Sequence, residues 1–71
     1  MKLSELTPTQ LSHLVWRLDH KTGCGILTAM GLARLNYGDM DLVEVFGMFV
    51  ASAHSAKIHA RKVINYDNPQ T

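Results

Sequence analysis

The stretch LTPTQLSHLVWRL, residues 6–18, decides the fold. Thr7 is followed by a proline at the first helical position and by Gln10 three residues later, which is the capping-box pattern of a helix N-terminus. Apolar residues then recur at i, i+3, i+4 and i+7, the spacing of one helix face. Gly23 follows where a left-handed residue ends a helix. The stretch therefore predicts an amphipathic helix over residues 8–20.

The rest of the chain predicts further short helices. Thr22 is a candidate cap for the second, Asp41 with Glu44 forms a D-x-x-E box before the third, and Ser52 or Ser55 caps the last. No run alternates polar and apolar residues as a strand would. We expect an all-α bundle, one domain over residues 1–71 with a frayed tail at 67–71. Its helices are expected at about 8–20, 24–36, 41–51 and 55–65.

Composition limits the class of protein. Hydrophobic residues form 46% of the chain and charged residues 18%, so the chain is able to build a core. A net charge of +1 excludes a general polycation that coats nucleic acid. Cys24 is the one cysteine, which excludes an internal disulfide and favours a reducing, cytoplasmic location. No apolar run approaches the roughly 18 residues that span a membrane, so no membrane association is expected.

The small size of the chain favours self-association. A domain of about 60 residues buries only about 60% of its unfolded surface, so its stability is marginal without staples. The second and third predicted helices carry apolar residues on several faces, which a second copy would cover. We therefore expect a homodimer. The predicted self-association residues are Leu27, Leu32, Leu35, Val43 and Met48.

Catalysis and metal binding have little support in the sequence. A helical metal pair needs i,i+3 or i,i+4 spacing, which neither His13 with His20 nor His54 with His59 has. Cys24 at a helix start would have an activated thiol, but a free cysteine is more often a small buried apolar residue. We expect no enzyme activity, no catalytic residue, no cofactor and no metal.

Trp16 is the most informative single residue. It lies off the apolar stripe of the first helix, and tryptophan and arginine dominate binding hot spots. The predicted partner-binding residues are His13, Trp16, Arg17 and His20. The alternative, held equally open, is that the bundle or the tail covers Trp16.

The last predicted helix is basic. Its cations could contact phosphates, with an affinity that falls with salt. The predicted nucleic-acid residues are His54, Lys57, Arg61 and Lys62. The favoured alternative is a solvated face, or ion pairs with Asp39, Asp41 and Glu44.

The leading functional hypothesis is a small non-enzymatic module that binds another protein as an adaptor or inhibitor and self-associates. Surplus apolar surface, the off-stripe Trp16 and the lack of a convergent polar site support it. Only the size of the chain suggests the small proteins of phages and mobile elements. The alternative is a nucleic-acid-binding regulator that uses the last helix.

Overall fold

A computed structural model describes residues 1–34 and 39–66 and shows an all-α fold, which confirms the predicted class. No strand is present in these residues; Lys2 and Asp41 form one isolated antiparallel bridge. In the two described ranges, a 3₁₀ turn precedes four helices. The turn is Leu3–Glu5, and the helices are α1 (Pro8–Lys21), α2 (Ile26–Arg34), α3 (Leu42–Gly47) and α4 (Ala53–Ile64).

Helix α1 begins as its capping box predicts. The Thr7 hydroxyl accepts a hydrogen bond from the Gln10 amide at 3.1 Å, and the Gln10 side-chain oxygen accepts one from the Thr7 amide at 2.9 Å. The helix ends at Lys21, one residue beyond the predicted end. Gly23 has a φ of +73°, a left-handed conformation that glycine adopts without strain.

Helices α2 and α3 are shorter than predicted. Helix α2 starts at Ile26 instead of residue 24 because Gly25 has a φ of +93°, which no right-handed helix includes. Helix α3 ends at Gly47 instead of residue 51. The Phe49 amide bonds the carbonyl of Phe46, three residues back, so the backbone tightens and leaves the α-helical path. The predicted end of the second helix at residue 36 lies outside the described residues.

Helix α4 starts two residues earlier than predicted. Of the two candidate caps, Ser52 is the one used, and its hydroxyl accepts a hydrogen bond from the Ser55 amide at 3.0 Å. The helix ends at Ile64. The predicted frayed tail at 67–71 lies outside the described residues.

The core lies where α1 packs against α2 and α4, and where α3 packs against α4. The N-terminal segment closes it, since the Leu3 amide bonds the Met40 carbonyl and the Leu42 amide bonds the Met1 carbonyl. None of the helices in the described ranges has the length and apolar character needed to cross a bilayer. The buried apolar residues are Leu3, Leu6, Leu14, Leu18, Ala29, Leu32, Leu42, Val45, Phe46, Ala56, Ala60 and Val63.

The residues predicted for self-association divide into two groups. Leu32 is only 6% exposed and Val43 packs against the core, so both stabilise the single subunit. This corrects the assignment of Leu32 to a surface, because the fold buries it without a second copy, whereas Val43 is half-buried. Leu27 is 82% exposed and Met48 is 50% exposed. Leu35 lies outside the described residues.

Candidate functional site

Four aromatic rings lie side by side on the surface of α1, and we call them the aromatic row: Tyr66, His13, Trp16 and His20. The His13 ring stacks on Tyr66 with centroids 4.0 Å apart and on Trp16 at 5.6 Å. His20 follows on the same helix, its ring centroid 5.2 Å from that of Trp16. Trp16 is 45% exposed in this arrangement. Within the described residues, the bundle therefore leaves Trp16 at the surface.

Local sequence and helix packing build the row together. Positions three and four residues apart share one helix face, which brings His13 and His20 to either side of Trp16. Tyr66 lies just beyond the end of α4, and the Gln10 side-chain amide donates to the Ile64 carbonyl at 2.9 Å. This bond fastens the end of α4 to α1, and Tyr66 reaches the His13 ring from there.

The Arg17 side chain does not lie on the same face of α1 as Trp16, where the sequence predicted it. Its Nε donates a hydrogen bond to Nδ1 of His59 at 2.9 Å, and the His59 ring stacks on Phe46 at 5.1 Å. One residue along a helix turns the side chain by about 100°, so Arg17 points toward α4 while Trp16 does not. Partial burial lowers the pKa of both Arg17 and His59. Arg17 is therefore a link between α1 and α4 and not a neighbour of the Trp16 ring.

Two open grooves flank the row. The first, the aromatic groove, has a volume of about 450 Å³ and is lined by Thr9, Ser12, His13, Trp16 and Tyr66. The second, the basic groove, has a volume of about 460 Å³ and is lined by His13, Arg17, Arg61, Lys62, Asn65 and Tyr66. His13 and Tyr66 line both grooves and so stand between them.

The predicted basic residues of α4 do not all lie at the same place on the surface. Arg61 and Lys62 line the basic groove with Arg17, whereas His54 and Lys57 are exposed and do not line it. Two of the four predicted residues therefore line the groove, and the third cationic side chain, Arg17, comes from another helix.

Acidic side chains are absent from the lining of both grooves in the described part of the chain, although Asp19 lies beside His20 at the end of the aromatic row. Asp41 accepts hydrogen bonds from the Met1 amino group at 2.8 Å and from the Val43 amide at 2.9 Å, and these lower the pKa of its carboxyl group. Among the residues described, no ion pair joins α4 to Asp39, Asp41 or Glu44, and Asp41 instead caps α3.

A positive charge also lies close to the Trp16 ring. The Lys21 ammonium lies 5.6 Å from the centroid of the Trp16 ring, a cation–π distance. The side chain of Asp19 lies 3.5 Å from His20 Nε2. The exposed Trp16 ring is thus bordered by histidines and a lysine.

Cys24 lies in the turn before α2 and is half-buried. Desolvation by burial raises the pKa of its thiol, which is the opposite of what a nucleophile needs. The described residues hold no cluster of three or more His, Cys, Asp or Glu side chains suited to a metal ion.

A third groove is apolar and lies between α1 and α2. Its volume is about 410 Å³, and Leu27 and Ile26 are exposed at the start of α2. The sequence did not single it out, because its walls come from two helices whose packing depends on the fold. Its lining is Pro8, Leu11, Ser12, Val15, Met30 and Ala33.

The chain matches no protein-family model, no curated protein and no solved structure.

Proposed function

We propose that the protein is a small non-enzymatic interaction module that binds another protein, as an adaptor or inhibitor, through the aromatic row. The single observation that carries this proposal is that Trp16 stays 45% exposed while the core closes without it. A large apolar ring costs free energy in water, and covering it with a partner recovers that cost.

The side chains of the aromatic row are also ordered in the absence of a partner. Stacking of His13 between Trp16 and Tyr66 restricts all three side chains. A partner then loses less of its binding free energy to ordering side chains, and preordered aromatic anchors are typical of strong binding sites.

A capture experiment with matched variants tests the proposal. The immobilised chain, its Trp16→Ala variant and its Met48→Ala variant are each incubated with host lysate. Met48 is the control because it is as exposed as Trp16, 50% against 45%, and lies outside the row. We expect a specific protein captured by the wild type and by Met48→Ala and lost with Trp16→Ala. Equal capture by both variants would contradict the proposal.

Nucleic-acid binding is the second candidate function. The gathering of Arg17, Arg61 and Lys62 along one groove favours it, since cations in a groove attract phosphates. Fluorescence anisotropy with labelled single-stranded and duplex oligonucleotides at low salt tests it. Affinity should fall steeply with salt and should drop when Arg61 and Lys62 are replaced by Ala. Absence of binding to both oligonucleotides at low salt removes this candidate.

Self-association and location complete the proposal. We infer a homodimer formed through α2, on which Leu27 is 82% exposed and Met30 and Ala33 line the apolar groove. The lone Cys24 supports a cytoplasmic location, because cysteines stay reduced there.

A further inference from the structure

We propose that the partner segment is an acidic peptide that places one apolar or aromatic side chain in the aromatic groove and its carboxylates in the basic groove. This inference rests on the proposed function and adds to it the chemistry of the partner.

The two grooves form one continuous site. They share His13 and Tyr66, whose stacked rings stand between them. Along the row, the ring steps from Trp16 to His13 and from His13 to Tyr66 are 5.6 and 4.0 Å. An extended chain advances about 3.3 Å per residue, so about three residues span the row from Trp16 to Tyr66, which lines both grooves. An anchor residue and an acidic residue two to four positions apart would reach both grooves.

The positive charge of the basic groove indicates that the partner segment is acidic. The basic groove presents Arg17, Arg61 and Lys62, and no acidic side chain of the described residues lines it. Arg17 is already positioned, because its Nε is bound to His59. Within the described residues its two terminal nitrogens make no hydrogen bond, and a carboxylate accepts well from such a fixed guanidinium.

The ring geometry favours a peptide over a nucleic acid. Bases bind to aromatic residues by stacking on a free ring face. Here the His13 ring already stacks on Tyr66 and on Trp16. The Trp16 ring is further approached by Lys21 and His20. A base would have to compete with these neighbours for the His13 ring, whereas the groove beside the rings is open to a side chain. The net charge of +1 is also low for a polyanion binder.

The first test is a selection from a display library of random 12-residue peptides on the immobilised chain. We expect enriched peptides to carry one large apolar or aromatic residue with two or more Asp or Glu residues within four positions of it. Enrichment of neutral or basic peptides, or no enrichment, would overturn the inference.

The second test measures the dissociation constant of one enriched, fluorescein-labelled peptide by anisotropy. We expect Trp16→Ala to weaken binding at least tenfold, and the double variant Arg61→Gln with Lys62→Gln to weaken it about fivefold. Lys57→Gln is the matched control, because it removes one exposed positive charge of α4 outside the groove, and it should change affinity less than twofold. Circular dichroism confirms that each variant is folded.

The outcomes separate the two proposals. A peptide that depends on Trp16 but not on Arg61 and Lys62 overturns the acidic-peptide inference and leaves the proposed function in place. A peptide whose affinity is unchanged by Trp16→Ala overturns both proposals. A single-stranded dT12 oligonucleotide that binds more tightly than the peptide at the same salt concentration, and loses affinity in the double variant, overturns the inference in favour of nucleic acid.

Discussion

The hydrogen bond between Arg17 and His59 requires a neutral imidazole. Nδ1 of His59 accepts from Arg17, and a protonated imidazole has no free acceptor. Partial burial, then the positive charges of Arg17 and Lys21, lower the pKa of His59 from its ordinary value of 6.5. Burial and Arg17 lower the pKa of His13 in the same direction. Two histidines that are neutral in the fold therefore make stability depend on pH.

We expect the folded chain to lose stability as pH falls below about 6.5. Between the unfolded and folded pKa values of His59 the unfolded chain binds more protons, so protonation favours unfolding. The stability that neutral His59 contributes is fully present above pH 6.5. It is lost as pH falls through the pKa of His59 in the folded chain. Urea unfolding midpoints at pH 7.5 and 5.5 measure it.

The variants for this test are His59→Gln and His54→Gln. His59→Gln keeps an acceptor for Arg17 without a titrating ring, so the midpoint should fall less between the two pH values. His54 is exposed, and His54→Gln should preserve the wild-type decrease. An unchanged decrease in His59→Gln would remove this explanation.

At the scale of the helices, side-chain caps fixed by local hydrogen bonds decide where α1, α3 and α4 start. We expect Ser52→Ala to destabilise the chain by about 1 kcal/mol, because the Ser55 amide loses its acceptor. Ser55→Ala is the control, since it keeps that amide and removes only the hydroxyl of the rejected cap. Urea unfolding at pH 7.5 compares the two. A larger loss with Ser55→Ala would show that the helix starts elsewhere.

The sequence predicted helices well where their signals are local. The start of α1 depends on Thr7 and Gln10 alone, and the structure confirms it. The end of α3 depends on backbone geometry. The apolar pattern continues to Phe49 and Val50 because these residues pack against the core, although they lie beyond the helix. Apolar periodicity therefore predicted which residues pack and overestimated how far the helix extends.

The candidate site was only partly predictable for the same reason. His13, Trp16 and His20 share a face by helical spacing, so sequence reasoning grouped them correctly. Tyr66 was missed because it meets His13 only through the docking of α4 on α1. Arg17 was grouped by its adjacency in sequence, although its side chain turns to His59 on another helix.

At the scale of the whole molecule, the described residues show that the fold itself covers part of the apolar surface assigned to self-association. The fold buries Leu32 and half-buries Val43, and it leaves Leu27 exposed on α2, a helix that also lines the groove with α1. An exposed side chain and an apolar groove on the same pair of helices suit a two-fold symmetric pair, in which each copy fills the groove of the other.

We expect Leu27→Glu to convert a dimer into a monomer. A carboxylate in an apolar interface is strongly unfavourable, so association should weaken by at least tenfold. Size-exclusion chromatography with light scattering at micromolar concentration measures the molecular mass. Ser4→Glu, an exposed substitution away from α2, should remain dimeric. A wild-type chain that is monomeric at every concentration would contradict the expected dimer.

The exposed Trp16 face as a partner-binding surface is tested most directly by the indole N–H resonance of Trp16. The chain has one tryptophan, so its ¹H–¹⁵N signal is unambiguous. On titration with a captured partner or an enriched acidic peptide, we predict that this signal shifts in saturable fashion together with the amides of His13 and Tyr66. An indole signal that stays in place while amides of α2 or α3 shift would contradict the account.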